Sequence, residues 1–358
     1  MTRTVLLTEH DLGQWQSRYA VGDAPAPLPY GVNALEAQGF RLRGTSQGTG
    51  RVGTKVRHIA EHRSGMVVER ALRAAPAVAG ADLVLALLEK QGMLPGLLKA
   101  SHVPPYASTP LVIWSCWLAD DIRSADAERR AWIRRRIESV DLITHLSRHE
   151  TEIFTDLGIP EERLFPVTYG VSHEFYTPDP GLDRDIALLA VGQDRGRDYA
   201  TLVDAVRGTD LTLDIVCRPE NLVGIDLPDN VTLHGTVPLH TYRQLLRRAR
   251  VVTVPTHDLA YPTGSSVALE ASSSGCAVVV TGTRAMRDYF TDGSTARLVD
   301  EGDVAGWRDV LTELTDDPDQ RRRLGAAART NVTDRFNADH MWSELAAVLR
   351  DRGLTGGR

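Results

Sequence analysis

Two clusters in the second half of the chain combine residue types that can hold a phosphate. Ser265 and Ser266 open a stretch in which Val267, Leu269 and Ala271 recur on one side and Gly275 stops the pattern, as expected of a hydroxyl-capped helix. Such a helix presents free N–H groups at the positive end of its dipole, so the residues from Thr263 and Gly264 to Ser266 make a seat for an anion. Glu270, one and a half turns further on, can accept hydrogen bonds from hydroxyls of the same ligand. The second cluster is Arg195 and Arg197 in QDRGRDY, between an apolar run that ends at Gly192 and a helix. Guanidinium groups pair with phosphate oxygens in bidentate fashion. Each cluster also has a plainer reading, a capped helix of any α/β protein or a charged surface turn.

The elements that would position them repeat one unit. Residues 251–254 form a short apolar strand, 255–264 a polar loop, 265–274 the helix and 277–280 a second buried strand. Strand, loop, helix and strand in this order make one crossover of a parallel sheet, and its loop opens at the carboxyl end of the strand, where ligands sit in open α/β sheets. Residues 186–191, 199–206 and 213–216 repeat strand, helix, strand around the arginine loop. A short strand at 231–234 and helices at 242–249, 305–314, 320–335 and 339–349 complete the second half.

The chain has 358 residues, which suggests two domains of about 150 to 180 residues each. Its formal charge of −6 speaks against a nucleic-acid partner, because non-specific binding of that kind relies on basic surface. Lysine occurs only at Lys55, Lys90 and Lys99, so a phosphate-binding cation in the second half must be arginine. Cys116, Cys217 and Cys276 are too few and too scattered for a disulfide framework or a zinc knuckle. The opening MTRTVLLTEHD holds too short an apolar run for a signal peptide, and no 18 apolar residues follow one another. A cytoplasmic location without a transmembrane segment is expected, with peripheral membrane contact left open.

In the first half, strands are expected at 4–8, 40–42, 81–87, 110–114, 141–144 and 164–168, with a long loop at 9–29 and helices at 30–38, 93–100, 125–138 and from Ser147 to about 157. No GxGxxG follows the first strand, which weakens a dehydrogenase reading. Residues 44–62 hold glycines and cations without hydrophobic period and read equally as an acceptor loop or a surface excursion. The fourth strand leads into SCWLADD, where Asp120 or Asp121 can serve as a general base or simply cap the next helix. The arginines of 125–138 read as a solvated helix face.

The run from residue 140 to 178, VDLITHLSRHETEIFTDLGIPEERLFPVTYGVSHEFYTP, resembles the end of the N-terminal domain of family 4 retaining glycosyltransferases, with TYGVS at 168–172 as the characteristic turn. Residues 254–303 resemble the donor-nucleotide site of the same family, in which one helix carries two glutamates with seven residues between them. Glu270 stands at the second position and Pro262 at the first. The resemblance implies an α/β protein of the GT-B fold, two Rossmann-like domains facing a central cleft. Residues 1–177 would bind the acceptor and 183–336 the nucleotide-sugar donor, with a linker at 178–182 and a final segment, 337–358, crossing back to the N-terminal domain.

By the same resemblance, Arg195 and Arg197 stabilise the departing diphosphate, Glu270 holds the ribose, and Thr236 and Val237 lie against the base. Gly192, Arg218, Thr263, Gly264, Ser265 and Ser266 complete the donor site. Glu9, His10 and Cys116 face the acceptor, and Asp120 is the carboxylate nearest the reaction, since the loop histidine common in the family is missing between Leu111 and Arg123. The implied reaction moves a hexose-type sugar from a nucleoside diphosphate sugar to a hydroxyl of a small molecule or glycolipid, with retention and with neither metal nor cofactor. Its rivals are a nucleotide-sugar 2-epimerase of the same fold and a non-catalytic nucleotide-sugar binder. The sequence leaves the base, sugar, acceptor and oligomeric state open.

Overall fold

The computed structural model describes residues 1–44 and 66–356. Apart from Gly44, the glycine-rich stretch 44–62 lies outside the described residues. The chain divides into two compact units: Met1–Val21, Ala26–Thr168 and Trp342–Arg358 form the first, Gly22–Pro25 and Tyr169–Met341 the second. The division after Thr168 comes ahead of the expected linker at 178–182. The physical reason is burial: Val171 and Tyr176 sit in one apolar cluster with Leu189, Val252 and Phe336.

In the first unit six strands, β1 (Thr2–Leu7), β2 (Phe40–Gly44), β3 (Leu83–Leu87), β4 (Leu111–Trp114), β5 (Leu142–His145) and β6 (Leu164–Pro166), form one parallel sheet in the order β2-β1-β3-β4-β5-β6. Every residue of β3, β4 and β5 is buried. Continuous apolar runs of this kind suit strands covered on both faces, as a parallel sheet requires. The expected loop at 9–29 contains a helix, Leu12–Ala20, capped by Asp11, whose carboxylate accepts from Gln14 N at 2.9 Å. That helix buries none of its residues, so it carries no apolar stripe for sequence to reveal. Helix Val68–Val78 was likewise not anticipated, and the helix expected at 93–100 begins at Glu89. From the last helix, Ala338–Asp351, Trp342 is fully buried; its Nε1 donates to Tyr30 O at 2.8 Å and its ring lies 5.8 Å from that of Trp114.

The second unit holds β7 (Ile186–Val191), β8 (Leu213–Val216), β9 (Val231–Leu233), β10 (Ala249–Val254), β11 (Ala277–Thr281) and β12 (Arg297–Val299), all parallel, in the order β12-β11-β10-β7-β8-β9. Period-2 alternation sends Leu189, Val252, Val278 and Val280 into one core cluster and Leu188, Ala190, Val251, Ala277 and Val279 into another. Within the sheet the order runs outward in both directions from the β7–β10 pair, where Leu189 lies beside Val252. This is a topological switch point, and the loops after β7 and β10 leave its carboxyl edge side by side. Among the described residues no helix is long and apolar enough to cross a membrane.

Candidate functional site

The two loops at the switch point are joined by backbone. Asp198 N donates to Pro255 O at 3.1 Å, His257 N donates to Gly196 O at 2.9 Å, and Arg197 and Thr256 form an antiparallel bridge. Asp198 also caps the helix Tyr199–Val206 by accepting from Thr201 N at 3.1 Å, and Thr256 N is anchored on Thr281 Oγ1 at 2.8 Å. The loop of QDRGRDY is therefore fixed from both ends.

That framework holds Arg197 inward, with its side chain 3% exposed. The guanidinium is packed between two glycines. A Cβ on Gly192 would lie 2.1 Å from its Nε, and one on Gly264 would lie 2.4 Å from its Nη1, far inside van der Waals contact. Gly264 also has φ +80°, a conformation that side chains disfavour, so this position needs glycine on two counts. Nε and Nη1 of Arg197 have no hydrogen-bond partner among the described residues, and the nearest anion, Asp194 Oδ2, is 3.5 Å from Nε. Buried donors without acceptors are rare and costly, and here they face the start of the helix Ser265–Ser273.

That helix start differs from expectation in its cap. Gly264, in the left-handed conformation, occupies the cap position and no side chain supplies a cap, so the serines do not play the capping role. A hydroxyl cap needs an extended backbone at the capping residue, and Ser265 and Ser266 are already helical. Ser265 N donates to Pro262 O at 3.0 Å. The N–H groups of Ser266 and Val267 have no acceptor among the described residues. The result strengthens the anion seat: two open amide donors at a helix terminus stand next to an unsatisfied guanidinium. Thr263 is buried beside them, and its side chain limits the space over Gly196.

Further along the helix, Glu270 accepts a 2.5 Å hydrogen bond from the Tyr242 hydroxyl, and the Tyr176 hydroxyl also favours its ionised form. Burial raises its carboxyl to about 7, although both hydroxyls pull the other way. Tyr242 and Tyr176 are themselves pushed well above the usual phenol range, first by burial and then by Glu270. Arg197 acts electrostatically on Tyr242, which connects the two halves of the site. Neither tyrosine was singled out from sequence. Tyr242 carried a signal nonetheless, since it lies three residues before Leu245 on the buried side of an amphipathic helix, Leu239–Arg248.

The other donor candidates fall in less enclosed places. Arg195, Arg218 and Thr236 are exposed, and Val237 is half-buried against the core. The expected symmetry between Arg195 and Arg197 does not hold: only the second is drawn into the sheet edge. The cavities of about 320 and 530 Å³ in the first unit and about 210 Å³ in the second lie at the amino ends of the strands, lined for example by Arg3 and Gly80 or by Arg250 and Ala277. The unsatisfied donors of Arg197 converge at the opposite, carboxyl edge.

In the first unit, the switch point lies between β1 and β3. Glu9 and His10 follow β1, where Glu9 accepts from the Tyr30 hydroxyl at 2.9 Å and His10 lies 4.6 Å, ring to ring, from Trp15. Burial lowers the His10 imidazole below its ordinary value, against the opposing pull of Glu9. Cys116 N donates at 3.1 Å to Glu89, a fully buried carboxyl just after β3 that also takes Ser115 Oγ and Trp117 N. Asp120 is neither in a loop nor a helix cap. It lies in the first turn of the helix Leu118–Ser124, 5% exposed, and accepts from Arg123 at 3.0 Å.

Comparison with known proteins follows the same lines. Residues 224–331 match the family described as "Glycosyl transferases group 1". The D-inositol 3-phosphate glycosyltransferase of Xylanimonas cellulosilytica is 35% identical over 123 residues, which are 34% of this chain and 28% of that protein. Its counterpart from Streptomyces coelicolor is 27% identical over 200 residues, 54% of this chain and 41% of that protein. The chain thus spans well under half the length of these curated relatives. Among solved structures, Anabaena HepE in complex with UDP and glucose superposes with a TM-score of 0.69 at 13% identity, covering 98% of this chain and 100% of that one. Sucrose-phosphate synthase from Thermosynechococcus elongatus gives 0.72 at 16% identity, covering 99% and 100%. The fold is the GT-B α/β fold, and the residues that match the glycosyl transferases group 1 family, 224–331, include the helix Ser265–Ser273 and Glu270.

Proposed function

We propose that the chain transfers a sugar from a nucleoside diphosphate sugar to an acceptor hydroxyl, with retention at the anomeric carbon and without a metal ion. The observation that carries this reading is Arg197, whose buried and unsatisfied Nε and Nη1 stand beside the open amides of Ser266 and Val267. A diphosphate supplies the missing acceptors to both. As the bond between sugar and diphosphate breaks, negative charge grows on the phosphate oxygens, and donors fixed in advance stabilise it with little reorganisation. Arginine and helix terminus together do what a divalent cation does elsewhere. In the retaining course the leaving phosphate takes the acceptor proton on the face it leaves, so the protein need supply no nucleophile.

Glu270 would accept from the ribose hydroxyls, with Thr236 and Val237 beside the base and Arg195 and Arg218 at the mouth of the site. UDP is the first nucleotide to test, since a structural neighbour was solved with UDP-glucose. For the acceptor we assign the carboxyl edge of the first unit, with Glu9, His10 and Cys116 as contacts and Asp120 as the candidate catalytic carboxylate. Inositol phosphates belong in the acceptor panel because the curated relatives are named for D-inositol 3-phosphate.

The test is turnover. Purified protein with UDP-, GDP- or dTDP-glucose and an acceptor panel should release nucleoside diphosphate only when acceptor is present, and Arg197→Met should remove that release. Conversion of donor to its 2-epimer without acceptor would instead favour the epimerase, and tight donor binding with no turnover on any acceptor would favour a non-catalytic binder.

A further inference from the structure

Glu270 accepts from Tyr242 and is influenced by Tyr176, and the two tyrosines come from separate elements. Tyr242 comes from the helix Leu239–Arg248 and Tyr176 from the segment that precedes β7, and the two rings lie 6.2 Å apart, edge on, with Tyr176 only 3% exposed. An ionised carboxylate accepts at about four lone-pair positions. One is taken by the Tyr242 hydroxyl at 2.5 Å, with Tyr176 nearby favouring the ionised form, and the remaining positions can serve a vicinal diol. A protonated carboxyl has one oxygen turned into a donor and serves the Tyr242 phenol and a diol together less well.

The groups that face this carboxyl are few. Its own helix contributes no other ionisable side chain. Tyr242 donates to it, and Tyr176 acts on it electrostatically. Tyr169 and Arg243 act on Tyr176, and Arg197 acts on Tyr242. Arg243 stacks over Phe175 at 4.5 Å, and Arg243 does not figure among the influences on Glu270. Among the described residues no guanidinium pairs with Glu270 directly, and its ionisation there depends on burial and on the two hydroxyls.

We propose that Tyr242 and Tyr176 are positioning residues that aim Glu270 at the donor ribose and make donor affinity depend on pH. This rests on the donor-site reading given above. Burial disfavours the ionised form that the diol requires, and the phenols recover part of it. The direction follows: the folded, ligand-free carboxyl is raised, so donor binding releases a proton and strengthens as pH rises through the neutral range.

The experiment uses UDP-glucose, or the GDP or dTDP sugar if that is the one bound, because a sugar diphosphate has no phosphate that titrates near neutrality, whereas a free diphosphate does. Affinity is measured by calorimetry on the whole chain from about pH 5.5 to 8.5. The wild type should lose about tenfold in affinity per pH unit below its midpoint. Glu270→Gln should give a flat profile. Tyr242→Phe should move the midpoint upward by about one unit, weakening binding about fivefold at pH 7 and recovering most of the loss at the alkaline end. Tyr176→Phe should move it the same way and serves if Tyr242→Phe folds poorly. A loss of equal size at every pH in both phenylalanine variants, or an unmoved midpoint, would overturn the inference. If Glu270→Gln kept the wild-type pH dependence, or if none of the three sugar nucleotides bound at any pH, the ribose contact itself would be wrong, and the inference would go with it.

Discussion

Replacing Arg197 with Met separates a binding role from a structural one, because the two predict opposite changes in the free protein. Met keeps most of the aliphatic stem in the space between Gly192 and Gly264 and deletes the guanidinium. Two of the deleted donors are buried without partners, and each unsatisfied buried group costs about 1–3 kcal/mol. Imperfect packing of the thioether and the loss of Asp194's neighbour take back part of that gain; the pairing is long at 3.5 Å and Asp194 is 31% exposed, so its share is small. The net expectation is that the ligand-free variant is more stable by about 1–3 kcal/mol, which for a unit of this size raises its melting midpoint by roughly 3–9 °C. Donor binding moves the other way. Losing one or two charge-assisted hydrogen bonds to phosphate costs about 2–4 kcal/mol, or roughly 30- to 700-fold in affinity. Thermal melts with and without a nucleoside diphosphate report both quantities, since ligand stabilises by mass action. A variant that melts lower than wild type and still gains the full nucleotide-induced shift would show that Arg197 braces the loop and binds no phosphate.

Three further outcomes follow from the same geometry. Glu270 has a folded carboxyl near 7 against an ordinary 4.5, so the folded state holds its proton longer and the stability contributed by this group falls as pH rises between those values. Glu270→Gln should therefore match wild-type stability near pH 4 and exceed it by up to about 3 kcal/mol at pH 8 in denaturant titrations, and equal stabilities at both pH values would refute the shift. Gly264→Val should destabilise the protein by more than about 2 kcal/mol and abolish nucleotide binding, because its Cβ would meet Arg197 and Val254 Cγ1 at 2.4 Å and its φ is +80°. EDTA should leave transfer unchanged, and a complete loss restored by added Mg²⁺ or Mn²⁺ would reverse the metal-free course.

The strands of the second unit were legible because a doubly covered parallel strand is a short run of buried aliphatics with polar ends. IALLAV at Ile186–Val191 and the helix Tyr199–Val206 fall where their residues put them. Strands alone placed both loops at the carboxyl edge, and the switch point then followed from sheet order, which sequence does not state. What escaped was set by tertiary contact. The helix Leu12–Ala20 has no buried residue, hence no period, and β12 (Arg297–Val299) is three residues long. The turn TYGVS reads as the end of the first domain, yet Val171 and Tyr176 are claimed by the core of the second unit. The serines after Gly264 look like caps, but the glycine's left-handed backbone starts the helix and leaves the amides open. Arg195 and Arg197 look alike in sequence, and only the packing against Gly192 and Gly264 tells them apart.

The central claim is that the amides of Ser266 and Val267 and the guanidinium of Arg197 together bind the diphosphate of a nucleotide sugar. Calorimetric titration of the protein with UDP, GDP and dTDP tests it most directly. Saturable one-to-one binding of at least one of them is expected, carried by the wild type and lost in Arg197→Met. Absence of binding for all three, or binding of equal strength in the variant, would contradict it.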